Sequence, residues 1–199
     1  VNSSAEVTQT FNAANNDSKC IGIITWMHTF SPAKMWIQGL QNLRKPLLHF
    51  HTQFNKEIPW GEIDMDFMNL NQSAHGDREF GHMVTRMRKS RKVVVGHWQD
   101  AKAQDRIAVW MRVAAAWADA QDMIIVRIGD NMNNVAVTDG DKVSAKMQFG
   151  YQVDYYPVGD VVKYQDKVTD DEVSEMVKEY EAAYDFAPKV QQEGKDRQQ

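Results

Sequence analysis

Three scarcities bound this sequence before any motif is read. Cysteine is nearly absent: Cys20 stands alone in 199 residues. No intrachain disulfide can form, and the place of Cys20 at the head of an apolar run predicts a buried thiol in a reducing compartment, hence cytoplasm. Basic charge is not in excess either. A formal net charge of −4 withholds the affinity for phosphate backbones and anionic lipid that strong positive charge confers, so nucleic acid is disfavoured as a partner. Long hydrophobic runs are missing as well, since the longest, 20–27, falls far short of the ~20 residues that span a bilayer. The chain opens Val1-Asn2-Ser3-Ser4 without an initiator Met and without a charged-then-apolar leader. Glycine-rich phosphate loops, nucleophile elbows, HExxH helices, zinc-like Cys/His spacing and internal repeats are also absent. What is present is 43% hydrophobic residues, enough for a buried core in one domain or two small ones.

The order of patterns predicts parallel α/β architecture. Residues 4–15 place Val7, Phe11 and Ala14 on one helical face behind Ser3 or Ser4 as cap, with Glu6 in the first turn. Residues 21–27 are a continuous β-branched run, the signature of a strand covered on both faces. Ser31 as N-cap and Pro32 as first helical residue then open a helix to about Leu43, and residues 47–52 supply the next strand of a β-α-β unit. Ligands of such sheets sit beyond the carboxyl ends of the strands, which places His28, Phe30, His51 and Gln53 at a crevice. Residues 65–88 have helical spacing, with Gly76 kinking the helix or dividing it. A third strand is expected at 92–98, with His97 and Trp98 at its exit. A long helix at 99–120 follows, turning Ile107, Trp110, Met111, Ala114 and Trp117 inward, and then a fourth strand at 123–128. Beyond it a helix is expected at 139–149 and strand or loop at 151–162. Thr169-Asp-Asp-Glu172 is a capping box opening the last helix, and residues 190–199 read as a polar, aperiodic end. The fold class is therefore α/β: a parallel-sheet Rossmann-like domain over 1–121, followed by the start of a second α/β domain over 122–199.

Several groups carry chemical potential. His49 and His51 share one face of a strand, compatible with metal ligation or with one packed and one strand-end imidazole. Asp64 and Asp66 aim the same way on an extended segment, as an acid–base pair or as a solvated turn. Gln72 and His75 are one helical turn apart, where an amide and an imidazole can jointly hold a polyhydroxylated ligand or stand as a surface pair. Gly129-Asp130-Asn131-Met132 is a tight turn or a ligand-facing loop. The cations Arg86, Arg88, Lys89, Arg91 and Lys92 read as a solvated helix end complementing the dipole. The residues alone thus reach a parallel α/β protein with a polar crevice and no assigned reaction.

Longer motifs in register add a resemblance. WMHTFSPAKMW at 26–36, HTQFN at 51–55, IDMDFMNLNQSAHG at 63–76, REFG at 78–81, GHW at 96–98, GDNM at 129–132 and AVT at 136–138 together resemble the L-arabinose isomerase family. The resemblance implies an aldose–ketose isomerase interconverting L-arabinose and L-ribulose, often also D-galactose and D-tagatose, with Mn2+ as cofactor and a hexameric assembly. It also implies that this chain is a fragment, matching the later part of a first domain and the first half of a second. The metal ligands and the acid–base glutamates are expected beyond Gln199, so no catalytic or metal residue is expected here. By position in the motifs, Gln72 and His75 are expected to contact sugar in a neighbouring subunit's pocket, Met132 to line the pocket of its own subunit, and Phe30 to form part of a wall. The chain departs from the family pattern at His82-Met83 and Asn133-Asn134, which bears on substrate preference only. A non-catalytic sugar-binding module and an isomerase of a related sugar are the other readings.

Overall fold

The computed structural model describes residues 1–30 and 32–187. Ser31, expected as a cap, and the polar 190–199 end lie outside the described residues. The chain forms two compact units, Val1–Met123 and from Ile124 onward.

The first unit is built on a parallel sheet, in the order β1 (Ile23–Thr25), β2 (Leu47–His51), β3 (Lys92–Val95). Ile23 pairs with Leu47, and Leu48 with Lys92. In β2 Leu47, Leu48, His49 and Phe50 are all buried, as the central strand of a sheet covered on both faces requires. The period-two alternation sends Leu47 to one core, with Val7, Phe11, Leu40, Phe80 and Val84. Leu48 and Phe50 go to the other, with Val94 and Ala103. Helices therefore cover both faces: α1 (Ser4–Asn16), α2 (Ile37–Asn42) and α4 (Ser73–Arg86) on one, α5 (Ala101–Asp122) on the other. The short α3 (Met65–Leu70) precedes α4.

Local signals set several of these elements. The Ser3 hydroxyl accepts from the Glu6 N–H to cap α1, and Asp100 caps α5 through Lys102 N–H. The first strand is shorter than the 21–27 run predicts, because the Met27 N–H leaves the ladder and donates to Asp77 Oδ1 at 3.1 Å. Pro32 heads a 3-10 turn over Ala33–Trp36 rather than the α-helix itself, which starts at Ile37. Gly76 neither kinks nor divides a helix. The break falls at Asn71 and Gln72, and Gly76 lies buried inside α4. Met111 and Trp117, expected to face inward, are exposed on α5, where Ala103 and Ala114 are the buried residues. Cys20 is half-buried rather than enclosed, its Sγ 3.5 Å from the Gly22 carbonyl.

The second unit pairs β4 (Ile124–Ile128) with β5 (Gln152–Tyr156) in parallel, with α6 (Lys142–Phe149), α7 (Val158–Gln165) and α8 (Asp170–Ala183). Residues 151–162 hold more order than their composition predicts, giving β5 and, after Pro157, the start of α7. The capping box of α8 is formed in both directions: Glu172 N–H donates to Thr169 Oγ1 at 3.3 Å, and Thr169 N–H donates to Glu172 Oε2 at 2.8 Å. The Thr169 backbone N–H, then its hydroxyl, hold the Glu172 carboxyl below the usual glutamate range. A lowered folded value stabilises above the unfolded value, and that contribution fades as pH falls through the folded one. Thr169→Val removes the hydroxyl alone, so the Glu172 titration followed by NMR is expected to move up, toward an ordinary glutamate. A titration indifferent to the replacement contradicts this assignment.

Candidate functional site

The break between α3 and α4 is where the strand exits meet. Asn69 and Leu70 accept through their carbonyls from the exit of β1: the Thr29 hydroxyl donates to Asn69 O, and His28 Nδ1 lies 3.1 Å from Leu70 O. Asn71 ties the same break to the exit of β2. Its Oδ1 accepts from Asn55 N–H at 2.7 Å, and its Nδ2 donates to Asn55 Oδ1 at 2.9 Å. Ser73 donates to Gln53 Oε1 at 3.3 Å. The exit of β3 joins one step away, because Phe54 O accepts from both His97 Nε2 and Trp98 Nε1, each at 3.1 Å. His28 and Gln53, expected at a crevice, and His97 and Trp98, expected at the exit of the third strand, are thus brought together as its frame. Two open cavities flank it. One of about 690 Å³ includes Met27, His28, Thr29 and Phe30 in its lining, and one of about 440 Å³ is lined by Trp26, His28, Phe50, Thr52, Gln53, Phe54 and Trp98.

Gln72 is the N-cap residue of α4, and His75 stands in its first turn, with His75 N–H donating to Gln72 O at 3.0 Å. They are neighbours through this turn rather than along a helix running through both. Phe30 joins them: its ring centroid is 4.8 Å from that of His75, tilted by 47°. Phe30 is 54% exposed, and His75 is exposed while Gln72 is half-buried. Neither cavity is lined by Gln72 or His75. His75 and Phe30 thus face solvent beside a half-buried Gln72, on a hydrogen-bonded base.

Asp64 and Asp66 do not form a carboxylate pair. Asp64 caps α3, accepting from Phe67 N–H at 2.8 Å, and Asp66 sits in the helix's first turn. The basic cluster is divided as well. Lys89 folds onto Leu43 O, and Arg91 onto Thr85 Oγ1 and Gly81 O, each at 3.2 Å for the arginine. Burial holds both below their usual ranges, whereas Arg86, Arg88 and Lys92 remain exposed.

No sequence pattern points to the most enclosed polar group here. Asp77, its side chain fully buried, accepts from His49 Nε2 at 2.6 Å and stands 3.7 Å from His51 Nε2. The two imidazoles are stacked, 6.0 Å apart and inclined by 3°. Two imidazoles and a carboxylate invite a metal reading. However, Asp77 Oδ1 is already engaged by Met27 N–H and His49, and no group of three or more His, Cys, Asp or Glu among the described residues converges to hold an ion. The described residues do not fit a Mn2+ site.

In the second unit, Met132 follows β4 on a loop fixed by its own side chains. Gly129 adopts φ +80°, which favours glycine. Asn131 N–H donates to Asp130 Oδ1 at 2.7 Å, Asn131 Nδ2 to Asp139 Oδ1 at 2.9 Å, and Met132 N–H to Thr138 Oγ1 at 3.1 Å. Met132 itself is 63% exposed. The side chain is presented outward by a shaped loop.

Residues 1–122 match the family model of the L-arabinose isomerase N-terminal domain, and residues 124–199 match that of the L-arabinose isomerase central domain. The chain belongs to the L-arabinose isomerase family. Its similarity to curated family members is high: 68% identity to the L-arabinose isomerase of Phocaeicola vulgatus and 65% to that of Bacteroides thetaiotaomicron, each over 184 residues covering 92% of this chain and 36% of the relative. The L-arabinose isomerase of Geobacillus stearothermophilus is 56% identical over 193 residues, 97% of this chain and 39% of its own length. The chain therefore spans little more than a third of these L-arabinose isomerases. The join between the two matched domains, 122 to 124, falls where the two compact units meet, at 123 and 124. Phe30, Gln72 and His75 belong to the N-terminal domain match and Met132 to the central one. No helix among the described residues is long and apolar enough to cross a membrane.

Proposed function

We propose that the whole protein carrying this chain is an aldose–ketose isomerase that converts L-arabinose to L-ribulose, and D-galactose to D-tagatose more slowly, and that this chain supplies sugar contacts through Gln72, His75, Phe30 and Met132. The observation that supports it most is the His75 imidazole beside the partly exposed ring of Phe30, one helical turn from Gln72, within a chain that matches two domains of this family. A sugar presents hydroxyls that pair with amide and imidazole nitrogens, and C–H faces that lie against a phenyl ring. Open surface cannot exclude water from a reacting sugar. A second polypeptide surface must close over Gln72 and His75, which fits an active site shared between subunits of a hexamer.

The reaction moves a proton or a hydride between the first two carbons of the sugar. The groups on this chain bind and orient the sugar, and among the described residues neither Gln72 nor His75 has a carboxylate partner placed for acid–base work. A Mn2+ ion, held by ligands outside the described residues, would supply charge stabilisation at the reacting oxygens. The location is cytoplasmic. The test is ketose formation by the full-length protein with Mn2+, given L-arabinose and D-galactose in parallel. Formation of L-ribulose as the faster product is expected, and no ketose from either sugar overturns the reading.

A further inference from the structure

We propose that Asp77 is the positioning residue of the sugar contacts, acting through His75 and Phe30, an inference that rests on the function proposed above. Its carboxylate is the point where three elements are pinned together. On α4, Asp77 lies two positions after His75. Its Oδ1 accepts from Met27 N–H at 3.1 Å, just past β1 and three residues before Phe30. The same oxygen accepts from His49 Nε2 on β2 at 2.6 Å, and Oδ2 faces His51 Nε2 at 3.7 Å. The separation of Phe30 from His75, 4.8 Å between ring centroids, is thus set beneath the surface by one buried carboxylate gripping the chain segment on either side.

Chemistry favours a carboxylate over a neutral group at this point. A charge-assisted acceptor is roughly twice as strong as a neutral one, and an ionised carboxylate offers only acceptors toward an amide N–H and an imidazole N–H. Asp77 Oδ2 and His49 Nδ1 are buried without a hydrogen-bond partner. The pinning rests on Asp77 Oδ1, which holds Met27 N–H and His49 Nε2 together, and angstrom-scale displacement of a contact residue weakens binding sharply.

The experiment uses the full-length protein with L-arabinose as substrate. Asp77→Asn keeps the shape and replaces one carboxyl oxygen with an amide nitrogen that donates. It is expected to raise KM about fivefold while leaving kcat within about threefold, the pattern of lost uniform binding. His75→Ala is measured alone and combined with Asp77→Asn. If Asp77 acts through these contacts, KM in the double variant rises by less than the product of the two single effects, because a side chain already removed cannot be misplaced. Multiplied effects in the double variant, or an unchanged KM in Asp77→Asn beside a raised one in His75→Ala, overturn the positioning role. An unchanged KM in His75→Ala instead overturns the proposed sugar contact, and the positioning role with it. Should Asp77→Asn fail to fold, the same cycle runs through His49. His49→Leu is expected to raise KM, and His49→Gln, which keeps a donor toward Asp77, to restore it. Equal KM values in those two variants refute the proposal.

Discussion

Replacing Gly76 with alanine is expected to destabilise the first unit by about 3 kcal/mol or more, the upper range for forced overpacking. A Cβ at this position collides with Thr29 O and meets Met27 O at 2.9 Å and Met27 Cβ at 3.1 Å. The two oxygens are main-chain atoms, which cannot rotate aside as the end of a side chain can. The main chain past β1 would have to retreat from α4, yet it is held there by the bond from Met27 N–H to Asp77 Oδ1 and by the Thr29 hydroxyl on Asn69 O. Retreat would break both. Gly81 on the same helix provides the contrast: its Cβ meets Arg91 Nη2 at 3.4 Å and His49 Cε1 at 3.8 Å, ordinary approaches to side chains. Gly81→Ala should therefore be neutral or stabilising, by up to about 1 kcal/mol from helix propensity. Urea midpoints of the two variants decide the matter, and equal midpoints would refute the close-approach account of Gly76.

The pair also shows which parts of this protein its sequence discloses. Caps and capping boxes are written within four residues, so Ser3 with Glu6 and Thr169 with Glu172 are legible and are realised. The β-α-β unit over the first two strands is legible because the continuous β-branched run at 21–27 and the strand pattern at 47–52 flank a helix-opening Pro32. Gly76 misleads for the opposite reason. A glycine in a helical stretch reads as a breaker, whereas here it clears room for a strand exit nearly fifty residues earlier in the chain, which no local pattern announces. Asp77 is hidden in the same way, since its partners Met27, His49 and His51 stand on or beside two other elements. Met111 and Trp117 show the converse failure: apolar spacing puts them on one face with Ile107, Trp110 and Ala114, of which Ala114 is buried and Ile107 and Trp110 pack against the core while Met111 and Trp117 stay exposed. At the candidate site, the spacing of Gln72 and His75 is local and visible. The ring of Phe30 beside His75 is a tertiary approach that the spacing cannot display.

Removing Gln72 and His75 together from the full-length protein should produce the largest functional loss of any change within the described residues that leaves the fold intact. Neither side chain belongs to the two hydrophobic clusters, and Gln72 caps α4 without any side-chain hydrogen bond to the helix. Stability is therefore expected to change by less than about 1 kcal/mol, leaving affinity as the quantity that moves. A hydrogen bond to a sugar hydroxyl contributes on the order of 1 kcal/mol when partly exposed and more once the site closes, and each 1.4 kcal/mol is about a tenfold change. Without both the amide and the imidazole, KM for L-arabinose should rise by about thirtyfold to a hundredfold. Thermal unfolding should overlay that of the parent protein, which separates lost recognition from lost structure. Phe30→Ala adds a sharper discrimination, because it removes the ring against His75 while leaving both nitrogen donors in place. If the ring serves as a face for the sugar's C–H groups, Phe30→Ala raises KM for L-arabinose and D-galactose alike. If it serves only to hold the imidazole, His75→Ala and Phe30→Ala will not add. An intact KM in the Gln72, His75 double variant would move the sugar contacts off α4 altogether.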